Sequence, residues 1–586
     1  MRRILTVVLC LTCISGLASG RTTLDIPKDK IGTHVLLGSR IVHVNRPCGK
    51  IYADGQRNHR PVLMTMDTDS CGNLVLRHTG YTTPEGYTLR VRGHHPKDVV
   101  LPIVRENARY YTVDVSDYFS TYPEDISAIP PKMLKGPAKS HTILGKQRTE
   151  EYLLVKADYT YENGLEVTAN CYILFLKQTP SKVRIMDKEK VGYSYAEYRD
   201  SCSKRTGLSL RWDFSNGRKL DFYVDKKFPA EWYPYIKEGI EDWNKAFIAI
   251  GVGPVVEVHP EPEDRHFERF APLVNMVRYM DVDEHNAKGD VMFDPRSGEI
   301  LQGDILWWKD ALKLLCDWRY IQTGAADGMA RLKEYPIEVI GPMIRHAICH
   351  EMGHVLGLSH NMGASWAYPA DSLLSRTFTA EYGTAASVMD YARYNHLATA
   401  ADFESGVSLM PPRLGPYDYY AIAMGYAPEG EAKAGKYCYY APFISAAISP
   451  DPSAQPESLG NDLLRSSMAG IRNCKLLLQL DGLDQERTRL ISRQYYRYIM
   501  LALSNIGGVL NDKPVGRRLR RRTVRFAMEA LYNVPPEIAD EHSQQGVLKE
   551  LEGNFLPPRV LENNGVWGLR NYQRQVKKLK KKYSFN

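Results

Sequence analysis

From about residue 30 to 190, apolar and polar residues alternate with a period of two, the period of a half-buried strand. Thr33–Leu37, Leu74–Arg77, Tyr87–Val91, Tyr110–Val115, Tyr152–Val155 and Cys171–Leu176 are the predicted strands. Asp54-Gly55, Pro84-Glu85-Gly86 and Asn163-Gly164 supply turns between them. The pattern is that of an antiparallel β domain, sandwich-like or curved, with no catalytic constellation in it.

Past residue 200 the period changes. Leu220–Val224, Val255–Val258, Met276–Tyr279 and Gly303–Trp308 read as strands. Ile236, Ile240, Trp243, Phe247 and Ile250 recur at helical spacing and predict one amphipathic helix over about 231–250. Ile344, Ala347, Ile348, Val355 and Leu358 give a second helix its apolar face, and Gly341-Pro342 marks its start. A helix is expected near Asp418–Gly425. Beyond about residue 440 the chain reads as mainly helical, over Leu463–Leu478, Asp484–Ser504 and Thr523–Tyr532, with Asp451–Pro456 as a linker. The expected class is α+β: a β-rich unit over 21–199, a mixed-sheet unit over 200–440 and a helical region over 441–586.

A chain of 586 residues is too long for one ordinary core. With 44% hydrophobic and 25% charged residues it has a globular composition. The formal net charge of +8 gives no reason to invoke nucleic acid. The basic runs Arg517–Arg522 and Lys577–Lys582 read as solvated faces, with contact to anionic lipid or glycan as the alternative. Met1-Arg2-Arg3, an apolar run from Ile4 to Leu17 and Ala18-Ser19-Gly20 form a signal peptide over residues 1–20, so export to the periplasm or outside the cell is expected. Lipidation at Cys13 is the alternative. Cys48, Cys71, Cys171, Cys202, Cys316, Cys349, Cys438 and Cys474 remain, an even set too widely spaced for a small disulfide scaffold. Cys349, in an apolar helix, reads as a buried free thiol. Cys48 in Arg46-Pro47-Cys48-Gly49 reads as a disulfide or strand-end cysteine rather than a thiolate cap for a metal.

The chemistry concentrates at His350-Glu351-Met352-Gly353-His354-Val355-Leu356-Gly357-Leu358-Ser359-His360, an HExxHxxGxxH motif. On a helix, His350 and His354 lie one turn apart on one face, a spacing at which two imidazoles hold one Zn²⁺. Glu351 is rotated by about 100° from His350. It leans over the metal without ligating it, where a general base for the hydrolytic water belongs. Gly357 permits a sharp turn that returns His360 as third ligand. Three ligands leave a position open, the mark of a catalytic zinc. His346, one turn earlier, reads as a neighbour of the site.

Downstream, Ser387-Val388-Met389-Asp390-Tyr391 resembles the Met-turn of the metzincin zinc proteases. Asp242–Phe247, Asp294–Ile300, His360–Ser365 and Gly415–Asp418 also look like landmarks of one family, the large bacterial metzincin-like zinc-dependent metalloproteases of Gram-negative bacteria. The similarity runs from roughly residue 100 to 430. It implies a β-rich domain ahead of a protease domain with a twisted mixed sheet and an active-site helix. It also implies Met389 as an apolar floor beneath the zinc, Tyr391 as an oxyanion donor and a peptide or protein substrate. In metzincins a strand placed like Gly303–Trp308 borders the cleft, where an exposed edge pairs with extended peptide; an interior strand is the alternative. The expected activity is that of a zinc endopeptidase with one Zn²⁺ per chain. A zinc-stabilised binding protein, or a zinc hydrolase of a non-peptide amide or ester, is the rival.

Overall fold

The computed structural model describes residues 21–46, 52–58, 61–78, 80–89, 96–200, 202–427, 436–438, 440–441, 457–507, 515–555, 574–578 and 581. Residues 1–20, read above as a signal peptide, Cys48, and Asp451–Pro456, read as a linker, lie outside the described residues. The fold is α+β. No helix among the described residues is long and apolar enough to cross a membrane.

The N-terminal part is one curved antiparallel sheet of nine strands: β1 (Thr23–Pro27), β2 (His34–Val44), β3 (Val62–Thr68), β4 (Asn73–His78), β6 (Val99–Glu106), β7 (Tyr110–Asp114), β8 (Ser140–Arg148), β9 (Tyr152–Thr160) and β10 (Glu166–Phe175), in the order β1-β7-β6-β4-β3-β2-β10-β9-β8. The β9–β10 hairpin turns at Gly164, whose φ of +74° suits glycine. One face of the sheet closes around the segment after β7, burying Val35, Leu37, Val155 and Val167 against Phe119, Tyr122 and Ile129. The alternate residues Leu36, Leu154, Tyr172 and Leu174 are buried on the other face against Met292 and Leu301. That second contact joins the sheet to the rest of the molecule. Strands β2, β9 and β10 are therefore apolar on both faces, and they are among the strands the alternation predicts. The largely exposed strand β8, polar on both sides of Ile143-Leu144-Gly145, gave no such signal.

A small sheet follows, of β5 (Thr88–Leu89), β11 (Tyr195–Arg199) and β12 (Arg205–Ser209). The position 199/200 expected as a domain boundary falls between β11 and β12. Ala196, Tyr198 and Leu208 share a core with Ile344 and Ile348, on the helix Ile337–Val355 that carries the HExxH residues.

The central sheet holds β13 (Leu220–Val224), β14 (Val256–Pro260), β15 (Asn275–Met280), β16 (Ala287–Asp294) and β17 (Glu299–Trp308), in the order β14-β13-β15-β17-β16. All neighbours are parallel except β16, which runs antiparallel to β17. The segment Gly303–Trp308 is thus an interior strand. The edge on this side belongs to β16, a strand whose Ala287-Lys288-Gly289-Asp290 start lacks large apolar residues and hides its period.

Two helix expectations also change. The active-site helix spans Ile337–Val355, so Pro342 sits inside it rather than at its start. Gly341 is there for packing, because a Cβ would strike the ring of Tyr235. The helix expected over 231–250 is interrupted at Asp242–Trp243, giving Tyr233–Glu241 and Asn244–Ala249.

Helices Leu463–Leu477, Gln485–Gly507, Val515–Tyr532 and Glu541–Glu550 make up the C-terminal region. Ile471, Leu477, Ile491, Tyr495 and Ile499 cluster with Tyr320 and Ile321, on the helix Ala311–Thr323. Leu314, Leu315 and Trp318 of that same helix line the cleft described next.

Candidate functional site

The helix Ile337–Val355 is held by indole hydrogen bonds at two levels. Trp243 Nε1 donates to the Cys349 carbonyl and Trp212 Nε1 to the Val355 carbonyl, each at 2.9 Å. Both tryptophans are fully buried. Cys349 is buried and unbridged, as expected, and burial pushes its thiol up. After Val355 the chain reverses at Gly357, with φ +94°. A Cβ there would also collide with the Leu210 carbonyl, so glycine is required twice. The reversed segment pairs with another strand-like stretch. Ser194 N donates to Gly357 O at 2.8 Å and Ser359 N to Gly192 O at 3.1 Å. This pairing places His360.

The ligand atoms of His350, His354 and His360 lie within 4.8 Å of one another, close enough to hold a metal ion. His354 Nε2 and His360 Nε2 are 3.2 Å apart. The outward nitrogens of two rings are fixed: His350 Nδ1 lies 2.7 Å from Val388 O, and His354 Nδ1 lies 2.8 Å from Leu358 O. A carbonyl accepts only from N–H, so both rings are Nδ1 tautomers with the Nε2 lone pairs turned inward. Burial, with the neighbouring imidazoles, drives His350 well below the usual histidine range, and burial also lowers His354 and takes His360 to about 3. Three neutral imidazoles that converge are the donor set zinc prefers. His346 stays outside the trio. Its Nδ1 meets Pro412 O at 2.8 Å, and burial lowers it to about 4.

Glu351 is buried beside the trio, with Oε2 accepting from Gly289 N at 2.6 Å. Burial raises its carboxyl to about 7, against the pull of the Gly289 N–H and of Lys288. Sequence reasoning missed Gly289, although an isolated glycine in a strand is a known sign of close approach. A Cβ on it would strike the Glu351 carbonyl and come within 2.7 Å of His354 Cβ.

Met389 is fully buried, with its sulfur against Gly353 of the helix, a position that tolerates no Cβ. Tyr391 lines the cleft, its ring centroid 4.5 Å from that of His360 and 6.1 Å from that of His350. Burial raises its phenol, opposed by Arg393. The sequence landmarks around these residues prove to be supports for the turn. Asp418 accepts from Ser387 Oγ at 2.5 Å, from Val388 N at 2.9 Å and from Gly415 N at 2.8 Å. Asp390 accepts from Ser365 N at 2.6 Å, and Asn361 N donates to Met389 O at 3.0 Å. Burial lifts the carboxyls of Asp390 and Asp418 to about 7, against these donors.

The cleft has a volume near 280 Å³. One wall is Asn286–Lys288, at the start of edge strand β16; the other is Tyr391, Arg393, Tyr394, Pro411 and the face of helix Ala311–Thr323.

Residues 333–528 match the model of a family described as Met-zincin. The chain carries a metzincin-like domain. The match takes in the three histidines, the Met389 turn and Asp418, and ends within the C-terminal helix Val515–Tyr532. The N-terminal sheet and β13–β17 lie outside the matched stretch. No curated protein and no solved structure matches the chain. The Met-zincin match supports a zinc-metallopeptidase-like function in general terms.

Proposed function

We propose that this protein is a zinc endopeptidase in which His350, His354 and His360 hold one Zn²⁺ and Glu351 is the general base. The observation that supports the reading most is the conjunction of three inward-facing neutral imidazoles with a buried carboxyl one residue from the first of them. When bound, the metal would polarise the scissile carbonyl and acidify the attacking water. Glu351 takes that water's proton on Oε1, while the Gly289 N–H holds Oε2 in place. The protonated Glu351 carboxyl then gives the proton to the leaving amine nitrogen. Tyr391 keeps its hydroxyl proton at neutral pH and donates to the developing oxyanion. The free edge of β16 pairs with an extended peptide, main chain to main chain. We further infer that residues 1–20 direct export, and that the N-terminal sheet is a scaffold for the edge strand.

Zinc content and peptide cleavage test this together. Glu351→Gln is expected to keep its zinc and lose most hydrolysis, and His354→Ala to lose most of the metal. Wild-type protein that takes up no zinc overturns the metal assignment. Activity of Glu351→Gln within a few-fold of wild type removes Glu351 from the base role. Tyr391→Phe is expected to lower kcat with KM little changed, by less than the roughly 10²–10³ typical of a lost oxyanion donor, because the metal shares that charge.

A further inference from the structure

The cleft wall beyond the histidines carries a cation whose charge is poorly matched by its neighbours. Arg393 lines the cleft two residues after Tyr391. Its guanidinium lies 4.5 Å from the ring centroid of Trp318 and 5.6 Å from that of Tyr391, so the planar group is held on aromatic faces. Its carboxylate neighbour, Glu457, is at 3.9 Å. That carboxylate is already clamped by Arg497, at 2.8 Å through Nε and 2.5 Å through Nη2. Two arginines thus share one carboxylate. Arg393 Nε is buried and has no hydrogen-bond partner among the described residues. The opposite wall differs: Lys288 is paired with Asp290 at 2.9 Å. Arg393 is therefore the cleft cation with recognition capacity left over. It is also adjacent to the trio through Tyr391, whose ring centroid lies 4.5 Å from that of His360.

We propose that Arg393 is a specificity-determining residue that receives an acidic side chain of the substrate next to the scissile bond. This rests on the hydrolase reading above and names its substrate class, peptides with Asp or Glu beside the cleaved bond. An arginine fork matches a carboxylate in two hydrogen bonds, and a cleft partly shut off from water strengthens them. The rival role is a strut, with Arg393 tying the turn after Met389 to Glu457 and the C-terminal helices.

Matched fluorogenic peptides carrying Glu, Gln or Lys at each position within three residues of the cleaved bond test the proposal. At one position, kcat/KM is expected to fall from Glu to Gln by about tenfold, the scale of one charged hydrogen bond, and further to Lys. Arg393→Gln should level that ratio with zinc content unchanged, and Arg393→Lys should keep part of it. The same peptides should bind the non-cleaving Glu351→Gln protein in the same order, with the preference shrinking as salt rises. A Glu-to-Gln ratio below twofold at every position overturns the proposal, as does a preference that survives in Arg393→Gln. Cleavage of all the peptides without charge preference removes Arg393 and leaves the hydrolase. Failure of zinc-loaded wild type to cleave any peptide removes the hydrolase, and the binding order on the Glu351→Gln protein then decides Arg393 alone.

Discussion

The N-terminal sheet and the C-terminal helices grip opposite walls of the cleft, and they do so with different chemistry. On the N-terminal side the apolar layer against Met292 and Leu301 is pinned by buried charge. Asp304 of β17 is 1% exposed and meets Arg40 of β2 at 2.5 Å and Arg278 of β15 at 3.2 Å. Asp290 of edge strand β16 meets Arg57 at 2.7 Å. On the C-terminal side, Tyr320 and Ile321 sink into an apolar cluster, and the Arg393–Glu457–Arg497 group is a polar tie at the cleft itself. Apolar contact is tolerant of small shifts, because dispersion and burial have no preferred direction. A buried carboxylate between guanidiniums is satisfied at one register only. The wall that carries Gly289, and through it Glu351, is the one fixed by charge. The wall that carries the aromatic pocket rests mainly on the more adaptable apolar contact, and its charged tie is more open, with Arg393 25% and Arg497 46% exposed against 1% for Arg40 and 2% for Arg278.

The most damaging way to break this asymmetry is Asp304→Ala. It leaves Arg40 and Arg278 buried without their carboxylate, and loss of one partner of a buried pair costs about 3–5 kcal/mol. Urea unfolding of the purified variant measures it; a cost below about 1 kcal/mol, the range of exposed pairs, would put the interface in the same class as the C-terminal one.

Acid attacks the same side. Burial alone would raise the carboxyls of Asp304 and Asp290, but Arg278 and Arg40 hold the first below the usual range, and Arg57 and Lys288 hold the second there. A depressed folded pKa stabilises above the unfolded value, near 4, and that stabilisation is lost as pH falls through the folded pKa. The contribution of these two groups should therefore be constant above about pH 5 and decline below about 4. Urea midpoints of chelator-treated protein, compared with an Asp290→Asn variant, read this out: the two curves should converge in acid.

Gly289→Ala comes next. The added Cβ pushes β16 off the helix at Glu351 and His354. Overpacking of this kind costs about 1–3 kcal/mol. Zinc content should hold while peptide cleavage falls at least tenfold, because an ångström-scale misplacement of a base is enough for a loss on that order. Cleavage equal to wild type would show that the Gly289 N–H does not position Glu351.

The smallest effect belongs to the apolar side. Ile321→Val removes one methylene from the cluster under the C-terminal helices and should cost about 0.5–1.5 kcal/mol, with cleavage and zinc unchanged. A larger loss, or a loss of activity, would mean that this wall is as tightly registered as the other.

Much of the site was legible in the amino-acid sequence. Helical geometry alone puts His350, Glu351 and His354 on neighbouring faces, since 3.6 residues per turn is a local property of the chain. The reversal at Gly357 is equally local, a backbone conformation that glycine adopts without strain. The Met389 turn was readable as a motif, and the inner strands β2, β9 and β10 as apolar runs. The tertiary structure decided the rest. His360 is set by pairing with Gly192–Ser194, Glu351 by a strand 62 residues upstream, and the Met389 turn by Asp418, 31 residues beyond Ser387. It also chose β16 over β17 as the edge of the sheet. A period-two pattern says which face of a strand is buried but not which strand lies beside it. Strand order and register come from long-range burial and from buried charges such as Asp304, whose partner Arg40 lies 264 residues away.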